Sequence, residues 1–147
     1  MRKLLTISVL TIIMLSLSSC IFIPFIDGYK QIGVTESDRK TLFDKTNKAF
    51  YNLILSGRYN NISDYLHPDY KDELVAGYRK ERKEEKVVES SVDIVDFYEH
   101  ANTAIVEMKI KAYRIPYYIL EERYEKQKWE FLGVRSKWRL VSREIIE

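Results

Sequence analysis

The chain has 147 residues, with 24 basic and 22 acidic side chains and one cysteine. Arg2 and Lys3 account for the whole basic surplus, so composition offers no support for a nucleic-acid binder, which needs a net basic face or stripe. A single thiol excludes an internal disulfide and a cysteine-rich zinc site, so an apolar core must hold the fold together.

Met1-Arg2-Lys3 is a short basic start, and Leu4 to Leu17 is a run of 14 residues without a charge. Leu17-Ser18-Ser19-Cys20 closes it, with small residues before the cysteine. Basic, apolar and small segments stand in the order of a secretory signal. With Cys20 at the cleavage point, the segment resembles a bacterial lipoprotein signal peptide and its lipobox. The resemblance implies removal of residues 1–19, acylation of Cys20, and a lipid-anchored, extracytoplasmic protein of the cell membrane or outer membrane. No charge occurs between Lys3 and Asp27, so an uncleaved spanning helix is the competing reading; it also places the domain outside. Residues 20–34 read as a lipidated tether. Ile21-Phe22-Ile23-Pro24-Phe25-Ile26 within it is either a collar at the membrane or a strap on the domain.

Residues 35–147 read as one globular domain. Thr35-Glu36-Ser37-Asp38 has the side chains of a helix N-terminus. Leu42, Phe43, Thr46, Phe50, Leu53 and Ile54 recur mostly at spacings of three and four, which predicts an amphipathic helix over 38–56 ended by Gly57. Tyr59 to Leu66 is a short second helix that Pro68 stops. Lys71 to Lys86 is a third, presenting Leu74, Val75 and Tyr78 inward, with the interleaved charges of Arg79 to Lys86 on a solvated face.

The period then changes to that of strands, predicted at 87–98, 103–113, 117–132 and 136–145. Val88, Val92 and Ile94 share one parity of the first, although Val95 and Phe97 make its other parity apolar. Ala104, Val106, Met108, Ile110 and Ala112 alternate with Glu107, Lys109 and Lys111, the pattern of a half-buried strand. Tyr118, Leu120 and Tyr124 begin the third, whose phase shifts before Trp129 and Phe131; a bulge near Lys126-Gln127-Lys128 would account for that. Trp138, Leu140 and Val141 carry the last. Met108, Ile110, Leu120, Trp138 and Leu140 are expected to meet Phe43, Phe50 and Leu53 of the first helix.

Helices followed by antiparallel strands make an α+β domain, here N-terminal helices packed on a curved four-stranded antiparallel sheet. Over Thr35 to Ile146 the chain resembles the nuclear transport factor 2-like superfamily, a cone-like sheet around a long helix, with a cystatin-like sheet on one helix as the nearest competitor. The resemblance rests on the aromatic first helix, on Leu66-His67-Pro68-Asp69-Tyr70 and on Lys137-Trp138-Arg139-Leu140-Val141. It implies a site at the open mouth of the cone and carries over no catalytic residue.

No metal or cofactor motif is present in the sequence, and no catalytic residue is assigned. His67 is expected to cap or pack in a turn, and His100 to sit on an exposed hairpin tip. Asp64 with Tyr65, or Asp69 with Tyr70, would serve an acid-base isomerase or dehydratase, the alternative to a binding domain. The eleven tyrosines are richer material. Tyr51, Tyr65, Tyr78, Tyr118 and Tyr124 could line a pocket for a small apolar ligand, form an interface with an envelope protein, or simply shell the core.

Overall fold

The computed structural model describes residues 32–133 and 137–146; the signal segment, Cys20 and most of the tether lie outside the described residues. The first helix, α1, spans Glu36–Leu55. Thr35 caps it: its hydroxyl accepts from Asp38 N, while the Asp38 side chain accepts from Thr35 N, a reciprocal pair that satisfies two otherwise idle donors. At the other end Gly57 N donates to Ile54 O and Arg58 N donates to Leu53 O, closing the last turn through a left-handed residue. Gly57 has φ +70°, which explains why glycine stands there.

Two 3-10 turns, Tyr59–Tyr65 and Pro68–Tyr70, lead into α2, Lys71–Glu84. His67 Nδ1 accepts from Asp69 N at the start of the second turn, and His67 N donates to Leu140 O at 2.8 Å. The strands β1 (Glu85–Tyr98), β2 (Thr103–Arg114), β3 (Ile119–Leu132) and β4 (Lys137–Ile146) form one antiparallel sheet in chain order. The α+β layering expected from the sequence is therefore present: helices packed on a four-stranded antiparallel sheet. Among the described residues, no helix is long and apolar enough to cross a membrane.

The core forms where α1 crosses the sheet. Phe43 meets Phe97, Trp129 and Trp138 edge to face, with ring centroids 5.2–5.8 Å apart, and Phe50 meets Tyr51, Tyr78 and Trp129. Trp138 Nε1 donates to Arg39 O at 2.8 Å, fixing the start of α1 over β4. The even-numbered face of β2 is buried along its whole apolar stretch, as its alternation predicts.

The register corrects three expectations. Val88, Val92 and Ile94 do not form a buried stripe; all three are exposed, and bulges at Val88 and Asp93 change the parity of β1 twice. Val87, Val95 and Phe97 are the apolar residues that pack inward. Leu120 is 51% exposed and does not face α1, because the inner face of β3 is odd-numbered from Arg123 to Phe131. No phase shift occurs at Lys126–Lys128. The bulge lies across the ladder on β4, where Lys128 pairs with Ser142 and Trp129 with Leu140, leaving Val141 as the extra residue.

Candidate functional site

The inner face of the sheet is divided in character. Towards the β1–β2 turn it carries Phe97, Ala104, Trp129 and Trp138; towards the β2–β3 turn it carries Arg123, Glu125, Gln127 and Arg143. The second half is covered by Tyr51 of α1 and by Tyr78 and Glu81 of α2, which makes it a buried polar network.

That network is ordered from one end. Trp129 Nε1 donates to Gln127 Oε1 at 3.0 Å, which fixes the amide orientation. Gln127 Nε2 then donates one hydrogen to Tyr51 Oη and the other to Glu125 Oε2 at 3.2 Å. Glu125, 2% exposed, also receives Arg123 at 2.8 Å. Arg123 in turn reaches Glu85 and Glu81, and Arg143 Nη2 donates to Glu81 Oε1. Burial works against the charge on both arginines, but their carboxylate partners outweigh it and raise the guanidinium pKa values. The Arg143 guanidinium lies 4.2 Å over the Tyr78 ring. It faces the π surface, and Tyr78 Oη has no hydrogen-bond partner among the described residues. Burial pushes the hydroxyl pKa of both Tyr51 and Tyr78 upward, with nearby negative charge adding to the effect.

Beside this network a groove of about 570 Å³ opens between α1 and β1. Phe43, Asn47, Tyr51 and Leu55 line it from α1, with Asp44, Lys48 and Asn52 also on that side; Ser90, Val92, Val95 and Met108 line it from the sheet. Between the two β1 bulges the inward positions are Ser90 and Val92, paired with Ile110 and Met108, and both border the groove. Val92 stays exposed on the inner face.

The groove is mostly apolar with a few polar markers, the composition of a small-molecule site, and its volume lies in the usual range of such sites. Asn47 is 4% exposed, and its side-chain amide has no hydrogen-bond partner among the described residues. Tyr51 accepts from Gln127, so the network leaves its own hydroxyl proton unspent. Asn47 and Tyr51, one helical turn apart on α1, thus stand in the groove wall amid apolar surface.

Of the tyrosines singled out by sequence, Tyr51 lines the groove. Tyr65 packs on Phe50 behind α1, with ring centroids 5.9 Å apart, and Tyr78 lies in the polar network. Tyr118 and Tyr124 do not line the groove: Tyr118 is in the β2–β3 turn, and Tyr124 has an even number on β3, on its outer face. Asp64 and Asp69 are also exposed and apart from the groove. His100 is exposed on the β1–β2 turn, 2.8 Å from Glu36 Oε1. Asn47, Ser90 and Val92 were not foreseen as lining residues. The positions of Ser90 and Val92 depend on the β1 bulges, which no feature of the alternation announces, and Asn47 is a buried amide of α1.

No protein-family model matches the chain, and no curated protein matches it in sequence. Solved structures are similar to it. The solution structure of a SEC-C motif-containing protein from Rhodopseudomonas palustris is 16% identical, with a TM-score of 0.55, over 66% of this chain and 73% of that one. The crystal structure of the intermembrane space region of the chloroplast protein ARC6 is 11% identical, with a TM-score of 0.44, over 73% of this chain and 92% of its own. The first likeness is one of fold alone.

Proposed function

We propose that this chain is an extracytoplasmic lipoprotein whose domain binds a small, largely apolar molecule in the groove between α1 and β1. The groove itself carries the reading: about 570 Å³, walled by Phe43, Leu55, Val92, Val95 and Met108, with Asn47 and Tyr51 as the groups that would orient a polar end. The basic start, charge-free run and Leu17-Ser18-Ser19-Cys20 support cleavage after residue 19 and a lipid anchor on Cys20. The long helix over the sheet agrees with a nuclear transport factor 2-like cone, for which the groove would be the mouth.

Two measurements test this. Native mass spectrometry of the chain extracted from membranes should find a small-molecule adduct in the wild type that Val92→Trp loses, since an indole there fills the groove. Equal adduct in both, or none in either, would count against the binding reading. Intact mass and membrane fractionation should show Cys20 lipidated and Cys20→Ala released or unprocessed. An unmodified thiol on the wild-type chain would end the anchor reading.

A further inference from the structure

The β2–β3 turn carries the most exposed large apolar side chains among the described residues. Tyr117 and Tyr118 are 75% and 73% exposed, Ile119 is 56% and Leu120 is 51%. Leu120 pairs with Tyr113 on the outer face and Ile119 with Arg114 on the inner one, so the turn and both strand ends form an apolar tip exposed on both faces. The described pairing of β4 stops at Ile146 opposite Tyr124, so β4 does not cover this end of β3. Single exposed apolar residues are ordinary, whereas a gathered patch marks a surface that meets something.

The patch has a basic border. Ile115 N donates to Glu84 O at 2.7 Å, which ties the turn to the end of α2, whose last turn holds Arg82 and Lys83. Lys86 stands opposite Tyr113 in the ladder. Arg114 is paired with Glu121 at 3.1 Å, but Lys83 and Lys86 have no ion pair among the described residues. Glu84 is the nearby acidic group left outside such a pair, so the border is cationic on balance.

We propose that this turn is a membrane-contact tip, with Tyr117, Tyr118, Ile119 and Leu120 entering the interfacial layer of a bilayer while Lys83 and Lys86 meet anionic headgroups. Tyrosine suits that layer because its ring is apolar and its hydroxyl stays wet. Lysines near the surface add attraction to anionic lipid. The reach fits as well, and here the proposal rests on the Cys20 anchor. The chain enters at the opposite end of the sheet, where Arg39 holds Gly33 O and Asn102 Oδ1. β2 has 12 residues, about 40 Å at ~3.4 Å each. The 13 residues from Cys20 to Ile32 span about 40 Å when extended, enough for the far tip to touch the bilayer that holds Cys20.

The test places an environment-sensitive fluorophore at Tyr118→Cys, or at Ser142→Cys on the outer face of β4, in the full chain reconstituted in vesicles of phosphatidylcholine with a minority of phosphatidylglycerol. Lipids carrying a quencher should dim the probe at 118 several-fold more than at 142. High salt, or vesicles of phosphatidylcholine alone, should reduce that difference. Equal quenching at both positions overturns the proposal. Shielding of 118 in native membranes without quenching in pure lipid also overturns it, because the occupant is then a protein. The wild-type chain is the labelling blank: a reactive Cys20 would end the anchor reading, while the 118-to-142 difference still decides the tip. Tyr117→Ser with Leu120→Ser should abolish quenching at 118 yet leave an anchored chain floating with the vesicles.

Discussion

Tyr51→Phe and Tyr78→Phe each remove one phenolic oxygen from the same buried network, yet they should differ sharply in stability. Gln127 is 0% exposed, and its amide orientation is set by Trp129. Of the two hydrogens on its Nε2, one goes to Tyr51 Oη and the other to Glu125 Oε2. Tyr51→Phe leaves the first without an acceptor away from bulk water, which is expected to cost about 1–3 kcal/mol. Tyr78 Oη makes no hydrogen bond among the described residues, and its ring contacts with Arg143 at 4.2 Å and Phe50 at 5.8 Å survive in phenylalanine. Tyr78→Phe should therefore fall within about 0.5 kcal/mol of wild type or be slightly stabilising, since it removes an unpaired buried polar group. Urea unfolding read by tryptophan fluorescence decides the matter, provided the m-value is unchanged. Equal losses in the two variants, or a larger loss for Tyr78→Phe, would refute the hydrogen-bond order described for this network.

Val106, 0% exposed on the inner face of β2, should tolerate aspartate badly: Val106→Asp is expected to cost several kcal/mol of a total of about 5–15, seen as a large fall in melting temperature. Lys109→Asp on the opposite face removes only a half-exposed pair with Glu122 and should leave the melting temperature nearly unchanged in the same assay. At Gly33, φ is +65° and an added Cβ would stand 2.7 Å from Phe131 Cζ, so Gly33→Ala should cost more than Gly57→Ala, where φ is +70° but the space is open. The second change is expected to cost about 1–2 kcal/mol, and chemical denaturation of the pair checks the order. Burial raises the folded-state pKa values of Tyr51 and Tyr78, so above about pH 10 the unfolded chain loses protons that the folded chain keeps. Their contribution is complete below that pH and is lost as pH rises, by about 1.4 kcal/mol per pH unit for each tyrosine; urea midpoints across the alkaline range should fall less steeply in the double phenylalanine variant.

The sequence revealed the elements better than the faces. The period of α1 and the alternation of β2 were legible because one side of β2 is uniformly apolar and one side of α1 is apolar but for Asn47, and burial follows from that. β3 was misread because its inner face holds Arg123, Glu125 and Gln127, residues that a binary pattern assigns to water. The apparent phase change at Lys126–Lys128 was that polar stretch giving way to Trp129 on an unchanged face. β1 failed differently. Two bulges each reverse its parity, so Val88 and Val92 share a parity in sequence without sharing a buried face in space. Tyr51 was among the candidates as a tyrosine, a large ring with a polar tip; Asn47 was missed because a buried amide one turn earlier resembles a surface residue in sequence.

These two departures from simple alternation meet in one place. The polar inner face of β3 requires partners, and Tyr51 supplies one by accepting from Gln127, which fixes the position of the phenol. The bulges of β1 set Ser90 and Val92 on the inner face, where they line the groove together with Tyr51 and Asn47. A wall group already held by a buried network needs little further ordering when a ligand arrives, so more of its hydrogen bond remains as affinity. An ordinary apolar β3 would bury as much surface and stabilise the domain at least as well, because charged pairs taken from water often gain little over packed hydrocarbon. Fold stability alone therefore does not account for Gln127 and Glu125 in the interior. Gln127 holds the Tyr51 phenol beside the groove, which ties the polar half of the sheet to the proposed binding site.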